Sequence, residues 1–79
     1  MSMEMTEAAI KDRLLSSDAE YRRLAMEHRS HSDRLDQLSD KPFLSDTEKL
    51  EEVTLKKKKL HLKDQMQSII NHHRRQVMG

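Results

Sequence analysis

The chain contains almost nothing that can break a helix. Pro42 is its only proline, and its only glycine is the last residue, Gly79. Strands joined by tight turns need several such residues, so this composition excludes a β-sandwich or a barrel. Pro42 lacks an amide hydrogen and disfavours helical geometry at Lys41, so a helix should end by about Asp40. The sequence therefore predicts helices on the two sides of a single turn.

Both predicted helices carry a row of residues spaced alternately by four and three, as in a heptad repeat. The row before the turn consists of Ile10, Leu14, Ser17, Tyr21, Leu24, His28, His31, Leu35 and Leu38. The row after it consists of Leu55, Lys59, Leu62, Met66, Ile69 and His73. Two such helices joined by a short loop become antiparallel neighbours. The predicted fold is all-α, an antiparallel two-helix hairpin of the coiled-coil type with a short N-terminal helix that lies against the far end of helix two.

The helix boundaries follow from capping patterns within a single domain of 79 residues. Ser45 and Glu48 form a capping box at the start of the second long helix. Ser17 and Asp18 resemble another helix start, which favours a break there, although one continuous helix also fits the heptad row. The expected elements are a short helix over 6–16, helix one over 18–39, a turn over 40–45 and helix two over 46–76.

Folding about the turn pairs residues whose numbers add up to about 86 or 87. This register places Arg34 opposite Glu51 and Glu27 opposite Lys58, and both pairs have opposite charges. Exposed ion pairs contribute only about 0–1 kcal/mol each, so these pairs serve as markers of the register more than as stabilisers.

Three segments of the chain have distinctive residue patterns. They are Tyr21-x-x-Leu24-x-x-Glu27-His28-Arg29, the loop Pro42-Phe43-Leu44-Ser45-Asp46, and the sequence LKKKKLHLKDQM from Leu55 to Met66. In these segments the chain resembles the YdcH-like family of small bacterial proteins. The resemblance implies a helical hairpin and a bacterial, cytoplasmic setting. Because the family's molecular function is uncharacterised, it supplies no catalytic residues. His31-Ser32 departs from the Leu-Asp that is usual in the family, which makes the heptad row more polar there.

Several classes of function are not expected from this composition. The chain has no cysteine, which excludes a disulfide framework and a thiolate site. The start of the chain has no signal-peptide pattern, and no apolar run is long enough to cross a membrane. His28 and His31 have a usable spacing for two metal ligands, but the register brings no good third ligand to them. We therefore expect a cytoplasmic protein that is not an enzyme and uses no cofactor, metal or membrane.

The charges are divided unevenly along the chain. Residues 1–55 carry a net −5 and residues 56–79 a net +6. Folding lays the basic half of helix two along helix one, so much of this asymmetry is expected to cancel within the hairpin. The alternative is a nucleic-acid-binding protein, whose phosphate contacts would come from the basic side chains of helix two. These candidates are Lys56, Lys57, Lys63, Arg74 and Arg75.

The function predicted from the sequence is protein–protein interaction, with either an unknown protein partner or a homo-oligomer. Apolar residues of helix two that lie outside the heptad row supply the candidate surface: Val53, Leu60 and Ile70. An exposed apolar stripe of this kind commonly marks a partner surface. A second interpretation is that the core stripe is wide, with Leu60 and Ile70 flanking it.

Overall fold

The structure, a computed structural model, describes residues 6–78 and contains three helices over this range. They are α1 (Glu7–Ser17), α2 (Ala19–Ser39) and α3 (Asp46–Met78). No strand occurs in these residues, which confirms the prediction of an all-α protein. The predictions for residues 1–5 lie outside the described range. The molecule is elongated, with extents of 53 × 20 × 18 Å.

Asp18 separates α1 from α2. Its backbone is extended, and its N–H donates to the carbonyl of Leu14 at 2.8 Å, which ends α1. The Asp18 carboxylate accepts a hydrogen bond from the N–H of Tyr21 at 2.9 Å and so caps the start of α2. The same residue thus ends one helix and begins the next, and the alternative of one continuous helix is wrong.

Arg22, in the first turn of α2, forms hydrogen bonds across the junction to the end of α1. Its guanidinium donates to the carbonyl of Leu15 at 2.8 Å and to that of Ser16 at 3.2 Å. Carbonyls in the last turn of a helix have no partner within the helix, so these bonds satisfy groups that would otherwise depend on water. The angle between α1 and α2 is therefore held by side chains close to the break.

The loop before α3 ends in the predicted capping box. The N–H of Ser45 donates to the Glu48 carboxylate at 3.0 Å, and the N–H of Glu48 donates to the Ser45 hydroxyl at 3.1 Å. Glu48 also forms an ion pair with Lys41. The hydrogen bond from Lys41, with that from the Ser45 backbone, lowers the pKa of Glu48 to about 2 from an ordinary value of 4.5. Stability from this carboxylate is complete above pH 4.5 and is lost as the pH falls towards 2.

The predicted contact between Arg34 and Glu51 is present. The Arg34 guanidinium donates to both carboxylate oxygens of Glu51, at 2.8 and 2.9 Å, and joins α2 to α3 near the loop. The hydrogen bond from Arg34 lowers the pKa of Glu51. Glu27 and Lys58 line one groove, as the register requires, but the ion pair of Glu27 is with Arg23 on its own helix, at 3.1 Å.

All three helices contribute to a core cluster at the end of the molecule far from the loop. Its buried members are Ile10 and Leu14 of α1, Tyr21 of α2 and Ile70 of α3, each no more than 3% exposed. Met66 and Ile69 pack against it. Nearer the loop the core continues through other residues of the two heptad rows: Leu24, Leu38, Leu55 and Leu62.

Candidate interaction surface

Three large apolar side chains of α3 are exposed on the side away from α2. Leu50 is 68% exposed, Val53 49% and Leu60 62%. Leu55 and Leu62 are buried and each follows Val53 or Leu60 by two residues, which is a rotation of about 200° around the helix. The exposed residues therefore lie roughly opposite the face that packs on α2. We call Leu50, Val53 and Leu60 the outer row.

Ile70 does not belong to this surface, although the sequence analysis placed it there with Val53 and Leu60. It is 1% exposed and packs against Ile10 and Leu14 of α1. The physical reason is that α1 lies beside the far end of α3 and widens the buried stripe by one residue. The wide-core interpretation is correct for Ile70, whereas Leu60 stays 62% exposed.

Two exposed apolar residues of this region were missed by the sequence analysis. Leu50 precedes Val53 by three residues, and Leu50, Val53, Lys57 and Leu60 repeat the three-four-three spacing of a second heptad row. That spacing could have identified Leu50. Phe43, in the loop, is 87% exposed, and as the only phenylalanine of the chain, next to Pro42, it could also have been noticed.

The lysines around the outer row are mostly without an acidic partner. Lys56 contacts Glu52 on its own helix at 3.7 Å, and Arg74 contacts Glu7 of α1 at 3.8 Å. Among the ion pairs of the described residues, none involves five other lysines of α3: Lys49, Lys57, Lys58, Lys59 and Lys63. In the middle of α3, the expected cancellation of charge between helix one and helix two is therefore not made through ion pairs of the described residues.

A groove of about 560 Å³ runs between the three helices beside Leu60. Its floor includes Met66 and the core residues Tyr21 and Ile70. Basic or protonatable groups line it from every helix: Lys11 of α1, His28 of α2, and Lys59 and Lys63 of α3. The acid among its lining residues is Glu7, which already contacts Lys11 at 3.6 Å and Arg74 at 3.8 Å. The groove therefore has an excess of positive charge.

His28 is half-buried in this groove. Burial is the main cause that lowers its pKa from the ordinary 6.5, followed by the charges of Lys59, Lys63 and His31. Its neutral form is favoured in the folded chain, so the stability it provides is present above pH 6.5 and is lost as the pH falls through 6.5 towards the lowered pKa.

We expect the melting temperature of the wild-type chain to fall between neutral and mildly acid pH, and to fall less in His28→Gln, because the variant has no group to be charged beside Lys59 and Lys63. Thermal unfolding followed by circular dichroism at several pH values measures this. His61→Gln is the matched control, because His61 is exposed. Equal pH dependence in wild type and His28→Gln would contradict the prediction.

A second groove, of about 610 Å³, lies between α2 and α3 beside Leu62 and brings His31 and His61 together with Arg23, Glu27 and Lys58. In the described part of the chain, no three histidine or acidic side chains are grouped as a metal site requires. The predicted nucleic-acid contacts are spread along α3. Lys56 and Lys57 are exposed beside the outer row, Lys63 lines the first groove, and Arg75 is exposed near the far end. Lys56 and Arg75 are separated by roughly 28 Å of helix rise.

One known protein family matches the chain. The model of the family described as a protein of unknown function, DUF465, matches residues 22–70, which is more than half of the chain. This is the YdcH-like family of small proteins of unknown function. The chain belongs to it. A search of the curated proteins and a search of the solved structures give no match.

The YdcH-like match begins at Arg22 and ends at Ile70, so it covers most of α2, the loop and about three quarters of α3. It leaves out α1, including Ile10 and Leu14 of the core cluster. His31 and Ser32, the two positions where the chain departs from the usual Leu-Asp of the family, are both half-buried, and His31 lines the second groove. None of the described helices has the length and apolar character needed to cross a membrane.

Proposed function

We propose that this YdcH-like protein is a non-enzymatic module for protein–protein interaction, built on an antiparallel hairpin of the coiled-coil type. Two contacts support the antiparallel arrangement. Arg34, late in α2, meets Glu51, early in α3, whereas Tyr21, early in α2, packs with Ile70, late in α3. A bacterial, cytoplasmic setting, as the family resemblance implies, is part of the proposal.

The observation that carries the proposal is the exposure of the outer row. Leu50, Val53 and Leu60 leave between 49% and 68% of their surface in water on one long helix. Isolated exposed leucines are common, but three at heptad spacing form a strip on which another helix can pack. The hairpin already buries its own heptad rows through Leu24, Leu55 and Leu62, so the strip is available to a partner.

The roles of the serines support a non-enzymatic function. Ser16 and Ser17 donate to backbone carbonyls one turn earlier, Ser17 to that of Arg13 at 2.7 Å. Ser45 caps α3. Nucleophilic catalysis needs a hydroxyl in contact with a base inside a water-poor pocket, and these hydroxyls are engaged with the backbone instead.

A second candidate function is nucleic-acid binding, which the lysines without ion pairs favour. Against it, leucines lie among the exposed lysines, and the tyrosine that could stack on a base, Tyr21, is 2% exposed. Phe43 is exposed but lies in the loop, 13 residues before Lys56.

Capture from a lysate of the source cells tests the two functions against each other. The tagged full-length chain is used with and without nuclease, and Leu60→Asp is compared with Met26→Asp. Met26 is 67% exposed on α2, so this control adds the same charge to a different face. We expect capture of a discrete protein that survives nuclease, is lost in Leu60→Asp and is kept in Met26→Asp. Loss on nuclease treatment would favour the second function, and equal capture by both variants would contradict the first.

A further inference from the structure

We propose that the partner of the outer row is an acidic amphipathic helix from another protein. The inference rests on the proposed function and adds the chemistry of the partner to it. Three observations support it. Lysines border the outer row, apolar side chains lie between these lysines, and two copies of the face would bring lysines against lysines.

Lysines surround the outer row at helical neighbour positions. Residues three or four apart lie side by side on a helix surface. Val53 therefore has Lys49, Lys56 and Lys57 as neighbours, and Leu60 has Lys56, Lys57 and Lys63. All four of these lysines are exposed, and only Lys56 forms an ion pair within the described chain, with Glu52 at 3.7 Å. The acids on this face, Asp46 and Asp64, lie at its two ends, four residues from Leu50 and Leu60 respectively.

A second copy of the chain fits this face poorly. Lys57 lies between Val53 and Leu60, at the position that continues their heptad spacing. If two copies packed through their outer rows about a shared centre, Lys56 and Lys57 of one would meet the same lysines of the other. Like charges at such positions destabilise helix pairs. Sliding one copy along the other would separate the lysines, but it would also reduce the number of apolar residues that meet, because Leu60 would lose its apolar partner.

A partner helix with apolar residues on one face and carboxylates beside them would match both the exposed apolar side chains and the lysines that border them. Its apolar side chains would cover Leu50, Val53 and Leu60, and its carboxylates would lie against Lys49, Lys57 and Lys63. A nucleic acid would use the lysines but would leave the exposed leucines against charged phosphates, where they gain nothing. The acidic helix is therefore the partner chemistry that the surface fits best.

The test uses three probes with the isotope-labelled full-length chain, followed by amide NMR shifts. The first is a helical peptide with leucine at heptad spacing and glutamate elsewhere. The second is the same peptide with lysine in place of glutamate, and the third is a single-stranded oligonucleotide. We expect the acidic peptide to bind, with shifts concentrated around Leu50, Lys57 and Leu60. The lysine peptide and the oligonucleotide should leave these signals in place.

Two charge reversals provide the matched comparison. Lys57→Glu should weaken binding of the acidic peptide by about tenfold, because it places repulsion at the centre of the face. Arg29→Glu, an exposed position on α2, makes the same change in net charge and should weaken binding by less than about twofold. Equal weakening would mean that only overall charge matters and would overturn the inference.

The remaining outcomes also separate the inference from the proposed function. If the acidic peptide does not bind, or if the lysine peptide binds as tightly, the inference is overturned. Binding of the oligonucleotide in preference to the acidic peptide also overturns it. In each case the proposed function stands or falls by the nuclease-resistant capture and its loss in Leu60→Asp, which do not depend on the charge of the partner.

Discussion

Replacing Ile70 with alanine is expected to lower the free energy of unfolding by about 2–5 kcal/mol. Ile70 is 1% exposed and contacts a cluster to which all three helices contribute, so the substitution leaves a cavity that no single helix can close. The core of a chain of 79 residues rarely supplies more than about 3–5 kcal/mol, and this chain has no cysteine for a disulfide. Urea unfolding followed by circular dichroism should therefore show Ile70→Ala largely unfolded, or close to it, in buffer.

Leu60→Ala is the matched control for Ile70→Ala. Both residues are large and aliphatic and lie on α3, and the sequence analysis assigned both to one exposed surface. Leu60 is 62% exposed, so its truncation should change the free energy of unfolding by less than about 0.5 kcal/mol. Similar destabilisation by the two variants would contradict the separation between core and surface on which the proposed function depends.

Ile10→Asp is expected to detach α1 from the other two helices. Ile10 is 2% exposed, and a carboxylate among Leu14, Tyr21 and Ile70 would be buried without a partner. Because that burial costs about 3 kcal/mol or more, we expect the variant to release α1 from the other helices and so return the carboxylate to water. Ile70 and Tyr21 would then become exposed, and the whole chain would lose stability.

Limited trypsin digestion measures this detachment, because Lys11 and Arg13 lie within α1. Cleavage after these residues should become fast in Ile10→Asp while α2 is still folded. Ala8→Asp is the control, since Ala8 is exposed and in the first turn, where an acid favours the helix. Continued protection of Lys11 and Arg13 in Ile10→Asp would show that α1 does not depend on the core cluster.

Much of the fold could be predicted because its determinants are local. Pro42 and the Ser45–Glu48 capping box fix the loop, and Asp18 supplies the cap that divides α1 from α2. Heptad spacing identifies the buried leucines of α2 and α3, and the register correctly pairs Arg34 with Glu51. The caps and the loop depend on residues close in sequence, and the buried leucines and the register depend on the heptad repeat.

The position of α1 beside the far end of α3 could be predicted, but the residue of α3 that it covers could not. Heptad spacing on α3 does not show that α1 covers Ile70, because the covering residues Ile10 and Leu14 are about 60 positions away. The expected pairing of the lysines of α3 with acids of helix one has a separate explanation. Lys57, Lys58 and Lys59 are consecutive and point in different directions around the helix. In addition, α2 carries four acidic and four basic side chains, so it has no excess of carboxylates to pair with them.

Site-specific photo-crosslinking in the source cells tests the central claim, that the outer row of α3 is a docking surface for another protein. A photoreactive amino acid replaces Leu50 in one full-length chain and Met26 of α2 in another; both side chains are more than 60% exposed. The account predicts a discrete protein adduct from position 50 that is absent from position 26 and is lost when Leu60→Asp is added. No adduct from position 50, or the same adduct from both positions, would contradict it.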